Sequence, residues 1–252
     1  GTSNGATVTG NLTITANFTK SVITYSITYD YAGGSLPSGK TNPTSYTVED
    51  AFTLNNPTKA GYKFAGWSGT GLTGTTNKTV TIAKGSTGNR TYTATWTANS
   101  YNITLNADGG TGASISPSAT YSTSTSAQTR TLTNPSKTGY TFQKWTVSGD
   151  NASAKVEGTT LTIPANSYGN ITLTAVWTVN SQGLTVQAYS NSVKDANFTY
   201  DENAVGGTVQ INSGTAGAHA TAKVDFNNKA TITASANSHY KFVGWYKTDG
   251  TK

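Results

Sequence analysis

Gly61-Tyr62-Lys63-Phe64-Ala65-Gly66-Trp67 recurs as Gly139-Tyr140-Thr141-Phe142-Gln143-Lys144-Trp145, 78 positions on (139 − 61), and again as His239-Tyr240-Lys241-Phe242-Val243-Gly244-Trp245. Self-similarity at a fixed period marks a repeat architecture, in which each copy is one small supersecondary unit. Landmarks on either side keep step. Tyr25-Ser26-Ile27-Thr28 with Gly33-Gly34 matches Tyr101-Asn102-Ile103-Thr104 with Gly109-Gly110, and Asn56-Pro57 matches Asn134-Pro135. An alternating segment closes each unit: Tyr92-Thr93-Ala94-Thr95-Trp96, then Leu173-Thr174-Ala175-Val176-Trp177. A further copy of that segment is Ile14-Thr15-Ala16-Asn17-Phe18.

These landmarks divide the 252 residues into four parts. Residues 1–22 carry the closing strand of a preceding, incomplete repeat. Residues 23–97 and 98–178 are complete repeats, and 179–252 are a divergent third repeat lacking its closing strand. With no opening Met and no signal-peptide pattern, the chain reads as a fragment of a longer protein.

The local pattern is that of strands. Ser26-Ile27-Thr28-Tyr29 and Asn102-Ile103-Thr104-Leu105 alternate with period two, as do Thr79-Val80-Thr81-Ile82 and Thr160-Leu161-Thr162-Ile163. The Gly-Gly pairs supply the positive φ of a tight reversal. Tyr62 and Phe64 share a face, and a bulge at Gly66 is expected to bring Trp67 back to it. No window has a convincing helical period. A repeat of about 75 residues buries only roughly 60% of its unfolded surface, so its core is thin. Trp67, Trp96, Trp145 and Trp177 are therefore expected as core anchors, each burying roughly 150–250 Å².

Composition agrees and excludes several functions. Charged residues make up 11% and hydrophobics 34%, yet aromatics reach 10%, with 14 Tyr and 5 Trp. Disordered chains are poor in aromatic and β-branched residues. The absence of Cys removes disulfides, thiolate metal sites and cysteine nucleophiles. No apolar run approaches the roughly 18 residues of a membrane span. The net charge is +6, but the 17 basic residues are scattered singly, and Arg90 and Arg130 are the two arginines. A nucleic-acid binder would gather them into a stripe. His219 and His239 lack a second ligand at metal-site spacing. Asp108-Gly109-Gly110 reads as a turn rather than a calcium loop. No nucleophile elbow, phosphate loop or zinc motif occurs. No catalytic, metal or cofactor residues are therefore expected, and no cofactor. A Lys–Asn crosslink would need Lys, Asn and a buried acid in one core.

The ordered landmarks resemble the Listeria–Bacteroides repeat, also called the internalin B-type repeat. Its layout is a strand ending in Gly-Gly, an Asn-Pro turn, Gly-Tyr-x-Phe-x-Gly-Trp, and a final strand ending in Ala-x-Trp. Residues 23–178 follow that order. The third repeat is similar to the divergent branch, with His239 in place of the leading Gly. Lys144 stands where Gly is usual, a departure that bears on the bulge in the second repeat. The resemblance implies a mainly β protein, with a small α+β variant open: tandem β-grasp-like repeats in an elongated array. It also implies an extracellular, cell-surface or wall-attached bacterial protein of adhesin type, and carries over no catalytic residue.

The expected function is thus a non-catalytic spacer or protein-binding module. The alternative is a carbohydrate- or cell-wall-binding module, accessory to a secreted hydrolase. Tyr29, Tyr31 and Tyr46, taken as exposed, are the candidate ligand-binding residues. Expected partners are a host surface protein or glycan, or the bacterial cell wall, with neither nucleic acid nor membrane insertion. The unmatched half-repeats add head-to-tail self-association, the edge of the last unit being filled by the first strand of another molecule.

Overall fold

The computed structural model describes residues 5, 8–19, 21–151, 153–188 and 206–247, and its described elements are all strands. The first complete repeat contains β1 (Tyr25–Asp30), β2 (Ser45–Tyr46), β3 (Phe52–Thr53), β4 (Tyr62–Gly69), β5 (Thr81–Ile82) and β6 (Arg90–Ala98). The second contains β7 (Ser100–Asn106), β8 (Ser114–Ser116), β9 (Thr120–Ser122), β10 (Gln128–Thr133), β11 (Tyr140–Gly149), β12 (Lys155–Glu157), β13 (Thr160–Ile163) and β14 (Ile171–Val179). The third region contains β15 (Ser181–Gln187), β16 (Gly207–Ile211), β17 (His219–Asp225) and β18 (Ile232–Ala236). The chain divides into two compact units, Gly1–Asn99 and Ser100–Lys252.

Each complete repeat is built on one mixed sheet. Its order is β2-β1-β6-β4 in the first and β9-β7-β14-β11 in the second. The first strand lies parallel to the last, Ile27 opposite Arg90 and Ile103 opposite Ile171. The closing strand is thus central, with the Gly-Tyr-x-Phe strand antiparallel on its other edge. No helix accompanies this sheet among the described residues. A smaller sheet accompanies it: β3-β5 in the first repeat, β12-β13-β10-β8 in the second.

The side chains follow from that placement. Along β14, Ile171, Leu173 and Ala175 face inward, and they pack with Ile103, Leu132, Trp145, Leu161 and Ile163. The first core gathers Ile27, Leu54, Trp67, Val80, Ile82, Tyr92 and Ala94 in the same way. Trp67 and Trp145 are fully interior, whereas Trp96 and Trp177 lie half-buried at the core margin. The buried polar side chains among the described residues are Thr123 and Asn151. Neither core therefore contains the buried acid that a Lys–Asn crosslink requires.

The bulge is present in both repeats. Pairing shifts register between Phe64 and Gly66, and likewise between Phe142 and Lys144. At Gly66 the backbone of Thr76 and Asn77 comes so close that a Cβ would lie 2.4 Å from it. The bulge itself requires no glycine; the overlying 76–77 segment of the first repeat does.

Among the described residues of 1–22 the expected strand is not formed. Described residues 8–19, 21 and 22 lie in no strand, and Leu12, Ile14 and Phe18 are exposed. A single strand without a ladder partner leaves its backbone groups to water and has nothing to hold it extended.

The second glycine of each Gly-Gly pair has a close neighbour. A Cβ at Gly34 would lie 2.4 Å from Cζ2 of Trp96, and one at Gly110 2.5 Å from Cζ2 of Trp177. The Trp96 and Trp177 indoles donate to Tyr31 O and Ala107 O, both at 3.1 Å. Gly110→Ala is expected to push the Trp177 ring off this seat and cost about 1–3 kcal/mol, the usual overpacking penalty. Denaturant unfolding of the second repeat measures it, and an unchanged midpoint would refute the seat's importance.

Candidate functional site

The nominated tyrosines do not form one surface. Tyr46, expected to be exposed, is 2% exposed. Its hydroxyl donates to Gly88 O at 2.6 Å and accepts from Arg90 Nε at 2.9 Å. Tyr121 holds the corresponding place in the second repeat, donating to Gly169 O at 2.6 Å and accepting from Asn151 Nδ2 at 2.9 Å. Both phenols pin the glycine that opens the closing strand. Tyr46 recurs as a fold landmark, and that is why it is interior.

Tyr29 and Tyr31 do come together. Both are half-buried, and their rings stack with centroids 5.9 Å apart and planes 1° from parallel. Tyr29 donates to Pro43 O at 2.8 Å. Burial, reinforced by Tyr31 and Tyr92, holds its phenol well above the usual tyrosine range. The corresponding second-repeat positions are Leu105 and Ala107, so this pair belongs to the first repeat alone.

A constellation that the sequence reading passed over recurs in both complete repeats. Lys59 Nζ donates to Ala32 O at 2.9 Å and stands 4.4 Å from the Tyr62 ring centre and 5.9 Å from that of Trp96. Lys137 Nζ donates to Asp108 O at 2.9 Å, with Tyr140 at 4.4 Å and Trp177 at 5.7 Å. The ammonium is drawn to the ring faces while it closes off a turn carbonyl. The available signal was a lysine two positions before each Gly-Tyr. The Asn-Pro landmark is explained similarly: Asn56 Oδ1 accepts from the Trp67 indole at 2.9 Å, and Asn134 Oδ1 from Trp145 at 3.1 Å.

The Listeria-Bacteroides repeat domain matches residues 25–95 and 101–176. The chain belongs to that family. The divergent InlB B-repeat domain matches residues 207–252. No curated protein and no solved structure matches. Listeria-Bacteroides repeats are typical of bacterial surface or extracellular proteins. Among the described residues no helix is long and apolar enough to cross a membrane, and no three acids or histidines gather in a metal-binding group.

The region matched by the divergent InlB B-repeat domain keeps the turn of the two complete repeats. His239 has φ of 70°, beside 79° and 77° at Gly61 and Gly139. Tyr240 N donates to Asn237 O at 3.0 Å, as Tyr62 and Tyr140 do to Lys59 O and Lys137 O at 3.1 Å. Beyond the turn, residues 241–247 lie in no strand. A cleft of about 320 Å³ runs beside them, bounded by Val186, Val209, Ala234, Phe242 and Trp245. Phe226 anchors this region to the second repeat: its N–H donates to Asn180 O at 2.8 Å, and its ring lies against Gly139.

Two outcomes follow from the tyrosines. Tyr121→Phe leaves the buried Asn151 amide and Gly169 carbonyl short of a partner, and is expected to cost about 1–3 kcal/mol in denaturant unfolding. A fully tolerated change would contradict the pinning role. Burial also raises the Tyr121 phenol. Because folding favours the neutral form of Tyr29 and Tyr121, the unfolded chain ionises first. Stability is whole below about pH 10 and falls as pH rises beyond it. Tyrosinate absorbance should show both phenols titrating with unfolding, and normal titration in the folded protein would refute it.

Proposed function

We propose that this chain is a non-catalytic repeat region of a bacterial cell-surface or secreted, adhesin-like protein, acting as a load-bearing spacer. The carrying observation is the parallel pairing of first and last strands, Ile27–Asp30 with Arg90–Thr93 and Ile103–Asn106 with Ile171–Thr174. Parallel neighbours make the polypeptide enter each sheet at one end and leave at the other. Tension applied through the flanking chain then runs along both strands and shears all their ladder bonds together, instead of opening them one at a time. Forced unfolding is governed by the barrier, which this geometry raises.

The recurring polar and aromatic groups support the same reading. Lys59, Lys137, Asn56, Asn134, Tyr46, Tyr121 and the four tryptophans of the complete repeats all serve contacts within their own repeat. What the repeats share is therefore architecture. The stacked Tyr29–Tyr31 pair favours carbohydrate or wall binding as the second reading, restricted to the first repeat.

Single-molecule stretching distinguishes the readings. Two discrete events are expected from the complete repeats, at clearly higher force than the third region, which has no parallel pair among its described strands. Yielding of all three at similar low force would overturn the spacer proposal. Saturable binding to glycans or purified cell wall, lost in Tyr31→Ala, would replace it with the carbohydrate reading.

A further inference from the structure

A glycine lies at the join between the second repeat and the region that follows it. Phe226, in the turn after β17, lays its ring where a Cβ on Gly139 would stand, Cδ1 and Cγ being the nearest atoms. That ring is also edge-on to Tyr140, with centroids 6.3 Å apart and planes at 73°. We propose that the position before the Tyr-x-Phe motif is a docking socket for an aromatic ring of the following unit, open at Gly139 and closed at His239. This inference does not depend on the spacer reading.

The backbone around the socket is stitched through Asn180, the residue between β14 and β15. Its N–H donates to Gly139 O, and its carbonyl accepts from Phe226 N–H, both at 2.8 Å. Its side-chain Oδ1 accepts from the Thr141 hydroxyl at 2.6 Å. Asn180 thus ties the start of β11 to the end of the β15–β17 ladder, where Asp225 stands opposite Ser181. A local turn delivers Phe226: Asn228 N–H donates to Asp225 O at 2.9 Å, and Asn227 takes the left-handed φ of 62°. The turn is fixed by its own bond, so docking the ring orders little further backbone.

The turn at this position does not by itself demand glycine. Gly61, Gly139 and His239 hold φ of 79°, 77° and 70°, and histidine is among the residues that enter this region. His239 therefore keeps the turn while carrying a Cβ. What sets Gly139 apart from it is the ring above: any side chain there takes the space of Phe226. Gly61 presents the same backbone, its carbonyl accepting Asn99 N–H at 2.9 Å, and Asn99-Ser100 repeats as Asn180-Ser181. His239 places a Cβ in the space that Gly139 leaves free, so a following unit cannot dock on the third region as that region docks on the second repeat. Neighbour interfaces supply much of the stability of a repeat array, and a unit that offers none on its far side acts as a cap. An aromatic ring set in a fitted pocket is the kind of side chain that dominates such an interface.

Residual dipolar couplings of the full chain test the joint. In the wild type, the strand amides of the second repeat and of the third region should fit one alignment tensor. Gly139→His gives the second repeat the third region's residue and is expected to split them into two tensors. The turn bond from Tyr140 N–H to Lys137 O should survive, read as unchanged exchange protection of the Tyr140 amide. Phe226→Ala reaches the joint from the other side and should also give two tensors, with protection in β11 and β14 unchanged. A single tensor surviving either substitution, or two tensors already present in the wild type, would overturn the proposal. So would loss of the Tyr140 protection in Gly139→His, since the glycine would then serve the turn and not the docked ring.

Discussion

The structure depends on where the closing strand lies. In each complete repeat it occupies the middle of the four-stranded sheet, parallel to the first strand and antiparallel to the Gly-Tyr-x-Phe strand. No local turn can join parallel neighbours, so the rest of the repeat must be laid down before the central place is filled. The landmarks then follow as the fittings of that strand. Its opening glycine carbonyl accepts a buried tyrosine, and the next asparagine caps the first strand's N–H. Its terminal tryptophan rests where the second glycine of the Gly-Gly pair has no Cβ.

The lysine–aromatic cluster and the Asn–Trp bond tie the same strand to the turns around it. Lys59 and Lys137 bridge the reversal after the first strand to the ring of the closing tryptophan. Asn56 and Asn134 satisfy the indole of the interior tryptophan, whose polar edge would otherwise be costly to bury. Residues of the kind that usually announce a binding surface are in these two repeats committed to holding a thin core together.

The third region shows what the arrangement becomes when the central place has no strand among the described residues. Its turn at His239 forms as in the other repeats, because that geometry is local. Among the described residues its Tyr-x-Phe-x-Gly-Trp segment gains no ladder. Its core, among the described residues, is Val186, Val209 and Ile211, with Leu184, Ile232, Trp245 and several alanines packed against them.

The sequence by itself determined the β class, the recurrence of one repeat and Trp67 and Trp145 as interior anchors, since period-two alternation and fixed spacing are local or self-referring signals. It also located the bulge at Gly66, but tied it to glycine, whereas Lys144 carries the same register shift. Only the tertiary structure decided which residues face water. Tyr46 was read as exposed and is interior, because its burial comes from Gly88 and Arg90, 42 and 44 positions away. The same holds for Lys59 and Lys137, whose partners lie 27 and 29 positions earlier. It holds for residues 8–19 as well: their alternation is that of a strand, but a strand exists only where another edge accepts its hydrogen bonds.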